Sequence, residues 1–188
     1  MKYFFQIFNI KVLLVVLTGT AMAYEEPTFK LIKNTDIYEI RYYGDRLVAT
    51  TRQISGEDRA FRRLFNYISG ANDNSSKISM TVPVLKSDDR SGTVMHFILP
   101  KNYSIQNAPL PKDGDVELVS LTGGYYAVIK YSGRPTTKRH KIHAGYLKDA
   151  LNKHSISIKS GPIQAIYNGP FTPFFFRRNE TMYLVNWE

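Results

Sequence analysis

No cysteine occurs among the 188 residues. Disulfides, thiolate metal sites, a cysteine nucleophile and a lipid-anchored cysteine are excluded together, so stability must come from the packed core. The familiar catalytic signatures are missing too. No Gly-x-Ser-x-Gly, Ser-x-x-Lys or glycine-rich phosphate loop is present, which withdraws support from the common hydrolase and nucleotide-binding classes. Concentrated positive charge is also lacking. Twenty-five Lys and Arg against 16 Asp and Glu give a formal charge of +9, yet basic pairs stand apart at Arg62-Arg63, Lys138-Arg139 and Arg177-Arg178. A nucleic-acid surface calls for a continuous basic stripe. No nucleic-acid partner is expected, only mild attraction to anionic ligands or surfaces.

Long apolar runs are confined to the start of the chain. Lys2 and Lys11 precede the apolar run 12–17, and small residues follow up to Ala21-Met22-Ala23. This is the order of a secretory signal, with cleavage expected after Ala23. The uncharged run 12–23 falls short of the roughly 20 apolar residues that a spanning helix needs. Removing residues 1–23 leaves 165, and loss of Lys2 and Lys11 lowers the charge to +7. The expectation is one exported domain, residues 24–188, periplasmic or secreted, monomeric and without a stable membrane anchor.

What the chain has in quantity is aromatic residues and two helical periods among strands. Residues 55–68 place Ala60, Phe61, Leu64, Phe65 and Ile68 on one stripe. Ser55 suits the N-cap, Glu57 and Asp58 the first turn, and Gly70 the left-handed C-terminal position. The second helix is predicted over 136–153, with Pro135 suited to its first turn and Ile142, Tyr146, Leu147, Ala150 and Leu151 at helical spacing. Strands are predicted at 37–44, 47–52, 79–85, 93–99, 116–121, 125–131, 163–167 and 181–187, many alternating in polarity. Loops fall at 70–77, 86–92, 102–114 and 168–178. RLVATTRQI, helix, SMTVPVL, TVMHFIL matches YYAVIKYSG, helix, PIQAIYN, TMYLVNW. The fold class is therefore α+β: duplicated β-α-β-β units forming a distorted antiparallel β-barrel flanked by two helices.

Several residues invite a chemical reading. Residues 38–43 put Tyr38, Ile40 and Tyr42 on one strand face and Glu39, Arg41 and Tyr43 on the other, and the tyrosines are read first as core. The last loop, NGPFTPFFFRR, sets Phe171, Phe174, Phe175 and Phe176 among Pro170 and Pro173. It is either folded back on its own core or the apolar rim of a ligand cleft. His140 and His143 share a helix face, but a third metal ligand is missing and Lys138, Arg139 and Lys141 repel cations, so the pair reads as solvated. His96 reads as a hydrogen-bonded or solvated strand residue, and Met80 as core. Glycosylation sequons begin at Asn74, Asn102 and Asn179.

The stretches YEIRYYG at 38–44, FRRLFNYISGAN at 61–72, KISMTVPV at 77–84 and AIYNGPFTPFFFRRNE at 165–180 together resemble the SOUL haem-binding protein family. Their order and spacing cover nearly all of residues 24–188. The resemblance implies noncovalent binding of haem or a related tetrapyrrole in an apolar surface cleft beside the first helix and the late proline-rich loop. By position, Phe61 and Phe65 fall on one wall and Phe171, Phe174 and Phe175 on the other. Arg62, Arg63 or Arg177 could meet the ligand carboxylates. Some relatives carry a proposed histidine ligand where Tyr42 stands, and a lysine where Asn66 stands. The metal ligand is left open.

The expected function is a carrier, buffer or scavenger of haem. The alternatives are a tetrapyrrole-modifying enzyme, such as a haem dechelatase, and an interaction module for another apolar ligand or a protein.

Overall fold

The computed structural model describes residues 24–53, 59–89 and 91–187. The predicted signal segment, and the predicted cap and first turn at Ser55, Glu57 and Asp58, lie outside them. Nine strands and two helices follow in the order β1 (Phe29–Asn34), β2 (Glu39–Tyr43), β3 (Arg46–Arg52), α1 (Ala60–Ile68), β4 (Val84–Asp89), β5 (Gly92–Ile98), β6 (Val116–Leu121), β7 (Gly124–Tyr131), α2 (Thr137–Lys153), β8 (Ile158–Ile166) and β9 (Asn179–Val185). All strands join one antiparallel sheet, ordered β1-β2-β7-β9-β8-β4-β5-β3-β6.

The duplication is written into that order. One unit places β5 between β3 and β4, the other places β9 between β7 and β8, and the units meet at the β4·β8 pair. The strand preceding each unit pairs across the molecule: β2 joins β7 of the second unit, and β6 joins β3 of the first. The two halves therefore share their outer strands and fold as one body.

Register shows which face each helix covers. Ala49, Phe97, Val84, Ile166, Asn179 and Tyr131 form one row of direct partners, so their side chains lie on one face. Ala49, Phe97 and Val84 pack with Leu64, Tyr67 and Ile68 of α1, while Ala127 and Ile129, on the face of Tyr131, pack with Leu147 and Leu151 of α2. Both helices thus lie on the same side. A third core, from Val48 and Leu85 to Val128 and Met182, fills the other side. There Arg46 of β3 lies 5.2 Å from the Tyr126 ring of β7, although four strands separate β3 from β7 in the sheet. The sheet curls around this second face like a half-barrel, as expected for the fold class.

Some boundaries differ from the sequence expectation. β1 was not anticipated, because most of its side chains are exposed and no alternation marks an edge strand. The strand expected at 79–85 begins only at Val84. Pro83 has no N–H to give, and the ladder starts after it. It then runs through Lys86 to Asp89, residues expected to be loop, because these polar residues pair with Gly92 to Met95. β8 starts at Ile158 and passes irregularly through Gly161-Pro162, where its register shifts.

Helix faces differ too. Ala60, Leu64, Tyr67 and Ile68 are the buried side of α1, and Phe61 and Phe65 point away from it. Gly70 takes the expected positive φ, +117°, after the helix. In α2 the buried residues are His140, Ala144, Leu147, Ala150 and Leu151, whereas Ile142 and Tyr146 are exposed. Pro135 lies just outside the helix, and Thr136 caps it by accepting from the Arg139 N–H at 3.3 Å. Thr136→Ala should cost about 1 kcal/mol in thermal or chemical denaturation, and Thr136→Ser little.

Candidate functional site

Phe61 and Phe65, which the resemblance implies for one wall, are an exposed pair. Phe61 and Phe65, one turn apart on α1, stack with centroids 6.1 Å apart and remain 46% and 47% exposed. Phe61 also meets the edge of buried Phe97 at 5.2 Å. Arg62 is exposed beside them and forms no hydrogen bond or ion pair among the described residues. Arg63 is committed: its Nε donates to Thr51 Oγ1 at 2.9 Å, and Nη2 donates to the Arg52 carbonyl.

The residues expected in the other wall lie on the β8–β9 loop. Phe174–Phe176 form a single 3-10 turn, Phe174 meets Phe175 edge-on at 5.3 Å, and Phe171 is 99% exposed. The loop is not folded onto a core; its phenylalanines face solvent. Arg177 fixes its shape, donating from Nε to the Thr172 carbonyl at 2.7 Å and from Nη2 to the Pro170 carbonyl at 2.6 Å. The Gly133 N–H donates to the Phe174 carbonyl, docking the loop beside the start of α2. Between them lies a groove of about 590 Å³, lined by Arg134, Pro135, Phe171, Phe174 and Arg177 among others. Arg134 is a cation of this groove that the sequence reading missed, because only the fold brings residue 134 to the loop.

Among the described residues no ring contact joins the α1 pair to the loop aromatics. Their relation is set by the sheet. Phe97, beneath Phe61, is two strands from Ile166, which leads into the loop. At ~4.8 Å per strand this is about 10 Å along one face.

The remaining motif residues build the frame. Arg41 is wholly buried and grips Glu180 with two hydrogen bonds, Nη1 to Oε2 at 2.9 Å and Nη2 to Oε1 at 3.1 Å. It also donates to Glu39 at 2.7 Å and to the Tyr43 hydroxyl at 3.0 Å. Tyr167 donates to Glu180 Oε2 at 2.8 Å, and Arg178 donates to Oε1 at 3.1 Å while lying 3.6 Å from the Tyr167 ring. Burial, then the Glu180 charge, drives the Tyr167 pKa well above the ordinary phenol value. Burial pulls the Arg41 pKa down, but the bonds and charge of Glu180 more than offset it. Asn72 holds the turn after α1, donating to the Tyr67 and Ser76 carbonyls at 3.0 and 2.8 Å. Asn179 is buried and donates to the Gly133 carbonyl at 2.9 Å, so the third sequon is closed to glycosylation in the folded protein.

Two sequence expectations are corrected. Both faces of residues 38–43 are buried, Tyr38 and Ile40 in the core under α2, and Arg41 and Tyr43 inside the curl. Tyr38 and Tyr43 are core, but Tyr42 is exposed, tilted against Tyr125 at 5.1 Å. His140 is not solvated: it lies under α2 with Nδ1 2.8 Å from Thr181 Oγ1, apart from His143, which stacks on Tyr131 at 3.8 Å. Among the described residues no cluster of three or more His, Asp or Glu could hold a metal ion.

His96 lines a cleft inside the curl, and its Nδ1 is buried without a partner. Burial lowers its pKa to about 4, against an ordinary value of 6.5. The unfolded chain therefore binds the proton more readily. Stability that is complete above pH 6.5 is lost as the pH falls toward 4, by up to about 1.4 kcal/mol per pH unit. Denaturation midpoints measured across pH 4–7 should show this slope, and His96→Phe should flatten it.

A family profile described as SOUL heme-binding protein matches residues 24–184. No curated protein matches the chain. Solved structures share its fold at low identity. The C-terminal domain of EcmrR aligns with TM-score 0.60 and 12% identity over 80% of this chain and 98% of that one. An uncharacterized conserved protein from Listeria innocua aligns at 0.56 and 10%, over 80% and 92%. A hydrolase from Listeria innocua aligns at 0.55 and 11%, over 82% and 94%. These likenesses show the architecture alone. No helix among the described residues is long and apolar enough to cross a membrane. The match over residues 24–184, with the duplicated curled sheet and two flanking helices, makes this chain a member of the SOUL haem-binding protein family.

Proposed function

We propose that the protein binds haem or a related tetrapyrrole noncovalently, as an exported carrier, buffer or scavenger that works as a monomer. The observation that carries the reading is the set of half-exposed or fully exposed phenylalanines, Phe61 and Phe65 on α1 beside exposed Arg62, and Phe171, Phe174 and Phe175 on the β8–β9 loop, whose groove holds Arg134 and Arg177. Apolar surface of this extent costs free energy in water unless a partner covers it. A porphyrin has the matching chemistry: a wide π-face for the rings and two carboxylates for guanidinium groups. Haem would supply a planar metal-bearing macrocycle. The protein's part is to cover one face of that macrocycle, hold its carboxylates and release it intact.

No axial ligand is assigned. His140 bonds Thr181, His143 stacks on Tyr131, His154 lies 2.6 Å from the Tyr38 hydroxyl, and His96 is inside the curl. Arg62 supplies the unpaired cation of the α1 wall. Arg177 shapes the loop and keeps Nη1 for a ligand.

The test is titration of residues 24–188 with haemin, followed by Soret absorbance and by quenching of Trp187 and tyrosine fluorescence. Saturable one-to-one binding with a spectrum constant in time supports the carrier. Slow conversion to free porphyrin would instead establish the modifying enzyme, and binding no tighter than that of unrelated apolar anions would establish the general interaction module. Export is tested separately, by whether the protein recovered outside the cytoplasm begins at Tyr24.

A further inference from the structure

The inside of the curl holds a second cleft, on the sheet face opposite the helices, of about 280 Å³. Its walls include Leu85, Leu121, Tyr126 and Met182, and its polar groups include Arg46 and His96. That volume lies just below the ~300–1,000 Å³ of sites for drug-sized ligands, and a tetrapyrrole is larger still.

The charge in this cleft is unbalanced. Arg46 is held over two aromatic rings, 4.6 Å from Tyr43 and 5.2 Å from Tyr126, and pairs with no carboxylate among the described residues. No Asp or Glu lines the cleft. The guanidinium groups of Arg41 and Arg178, by contrast, are matched by Glu39, Glu180 or Glu26. Arg46 Nε and His96 Nδ1 are both buried without hydrogen-bond partners. A half-buried cation with an aromatic seat, an apolar wall beside it and no anion gains most from a ligand that brings a carboxylate and an apolar body.

We propose that this cleft binds a small monocarboxylate with a compact apolar tail, its carboxylate on the Arg46 guanidinium and its tail along Leu85, Leu121 and Met182 beside His96. The site is separate from the exposed phenylalanines, so each ligand binds without displacing the other.

Octanoate is the probe, with octanol and octylammonium as controls. Calorimetric titration of the wild-type protein should give saturable one-to-one octanoate binding, unchanged by Phe61→Ala/Phe65→Ala, with neither control matching it. Arg46→Met should weaken it roughly tenfold or more, and Arg46→Lys should restore part of the loss. Because Arg46 also seats two tyrosines, a second reading uses the unaltered protein: octanoate must move the His96 imidazole NMR signals and leave those of His143, on the helix-bearing side, in place. Equal binding of octanol, no effect of Arg46→Met, or octanoate binding that leaves His96 unmoved would each overturn the assignment. Loss of haemin binding with octanoate binding intact would overturn the tetrapyrrole reading alone.

Discussion

Glu180→Leu should lower stability by roughly 3–5 kcal/mol, because it leaves the Arg41 charge buried with only Glu39 to answer it. For a domain of this size each kcal/mol moves the melting temperature by about 2–4 °C, so the expected fall is roughly 6–20 °C. The side chains on both sides of the pair are fully buried, and the guanidinium and carboxylate meet through two parallel hydrogen bonds. Tyr167 and Arg178 would lose their acceptor as well. Arg41→Met/Glu180→Leu should recover part of the loss, since removing both charges removes the desolvation cost with them. Lys130, half exposed on Glu39 at 2.6 Å, is the contrast: Lys130→Ala should cost under about 1 kcal/mol. Thermal denaturation of the three variants settles the ranking, and a Glu180→Leu protein as stable as Lys130→Ala would show that the network is not what joins β2 to β9.

Removing two rings from either wall should weaken haemin binding about 30-fold while leaving the fold intact. Fully burying a phenylalanine is worth roughly 1.5–3 kcal/mol, and Phe61, Phe65, Phe174 and Phe175 are each about half exposed before the ligand arrives. Covering the rest is worth about 1 kcal/mol per ring, or about 2 kcal/mol for Phe61→Ala/Phe65→Ala, which is roughly 30-fold in Kd. Phe174→Ala/Phe175→Ala should give a similar loss. Arg62→Ala should add a smaller, salt-dependent loss, as expected for an exposed cation meeting a carboxylate. Both double variants should cost up to about 2 kcal/mol of stability in thermal denaturation, because the buried half of each ring is lost, that of Phe61 against Phe97. Soret titrations of the variants at two salt concentrations check all of these.

Much of the fold was legible because repetition is. TVMHFIL and TMYLVNW, each after a helix and a strand, mark the duplicated unit, and the structure places them as β5 and β9, the middle strands of the two halves. What failed were edges and faces. Phe61 and Phe65 flank Leu64 at helical spacing, and a stripe 100° wide does not say which of its borders meets the sheet. The sheet took Tyr67 and left the two phenylalanines outside. KSDD, the last four residues of β4, reads as loop by polarity, but strand pairing ignores polarity where one face is wet.

The family resemblance was legible for a different reason from the one its binding role suggests. YEIRYYG and RRNE meet through Arg41 and Glu180, 139 residues apart in sequence, and most of their polar groups hold β2, β9 and the loop in place. Nothing in the spacing of either motif names the other as partner. Arg134 and the cleft around Arg46 and His96 were invisible for the same reason: loop docking brings Arg134 to Phe171 and Phe174, and the curl of the sheet forms the cleft.

The central claim is that a tetrapyrrole sits on the helix-bearing face between α1 and the β8–β9 loop. The most direct measurement is paramagnetic broadening by haemin in NMR spectra of the protein labelled at phenylalanine and histidine. Broadening concentrated at Phe61, Phe65, Phe171, Phe174 and Phe175, with His96 untouched, is the predicted result. Broadening centred on His96, or spread evenly over all labelled residues, would contradict it.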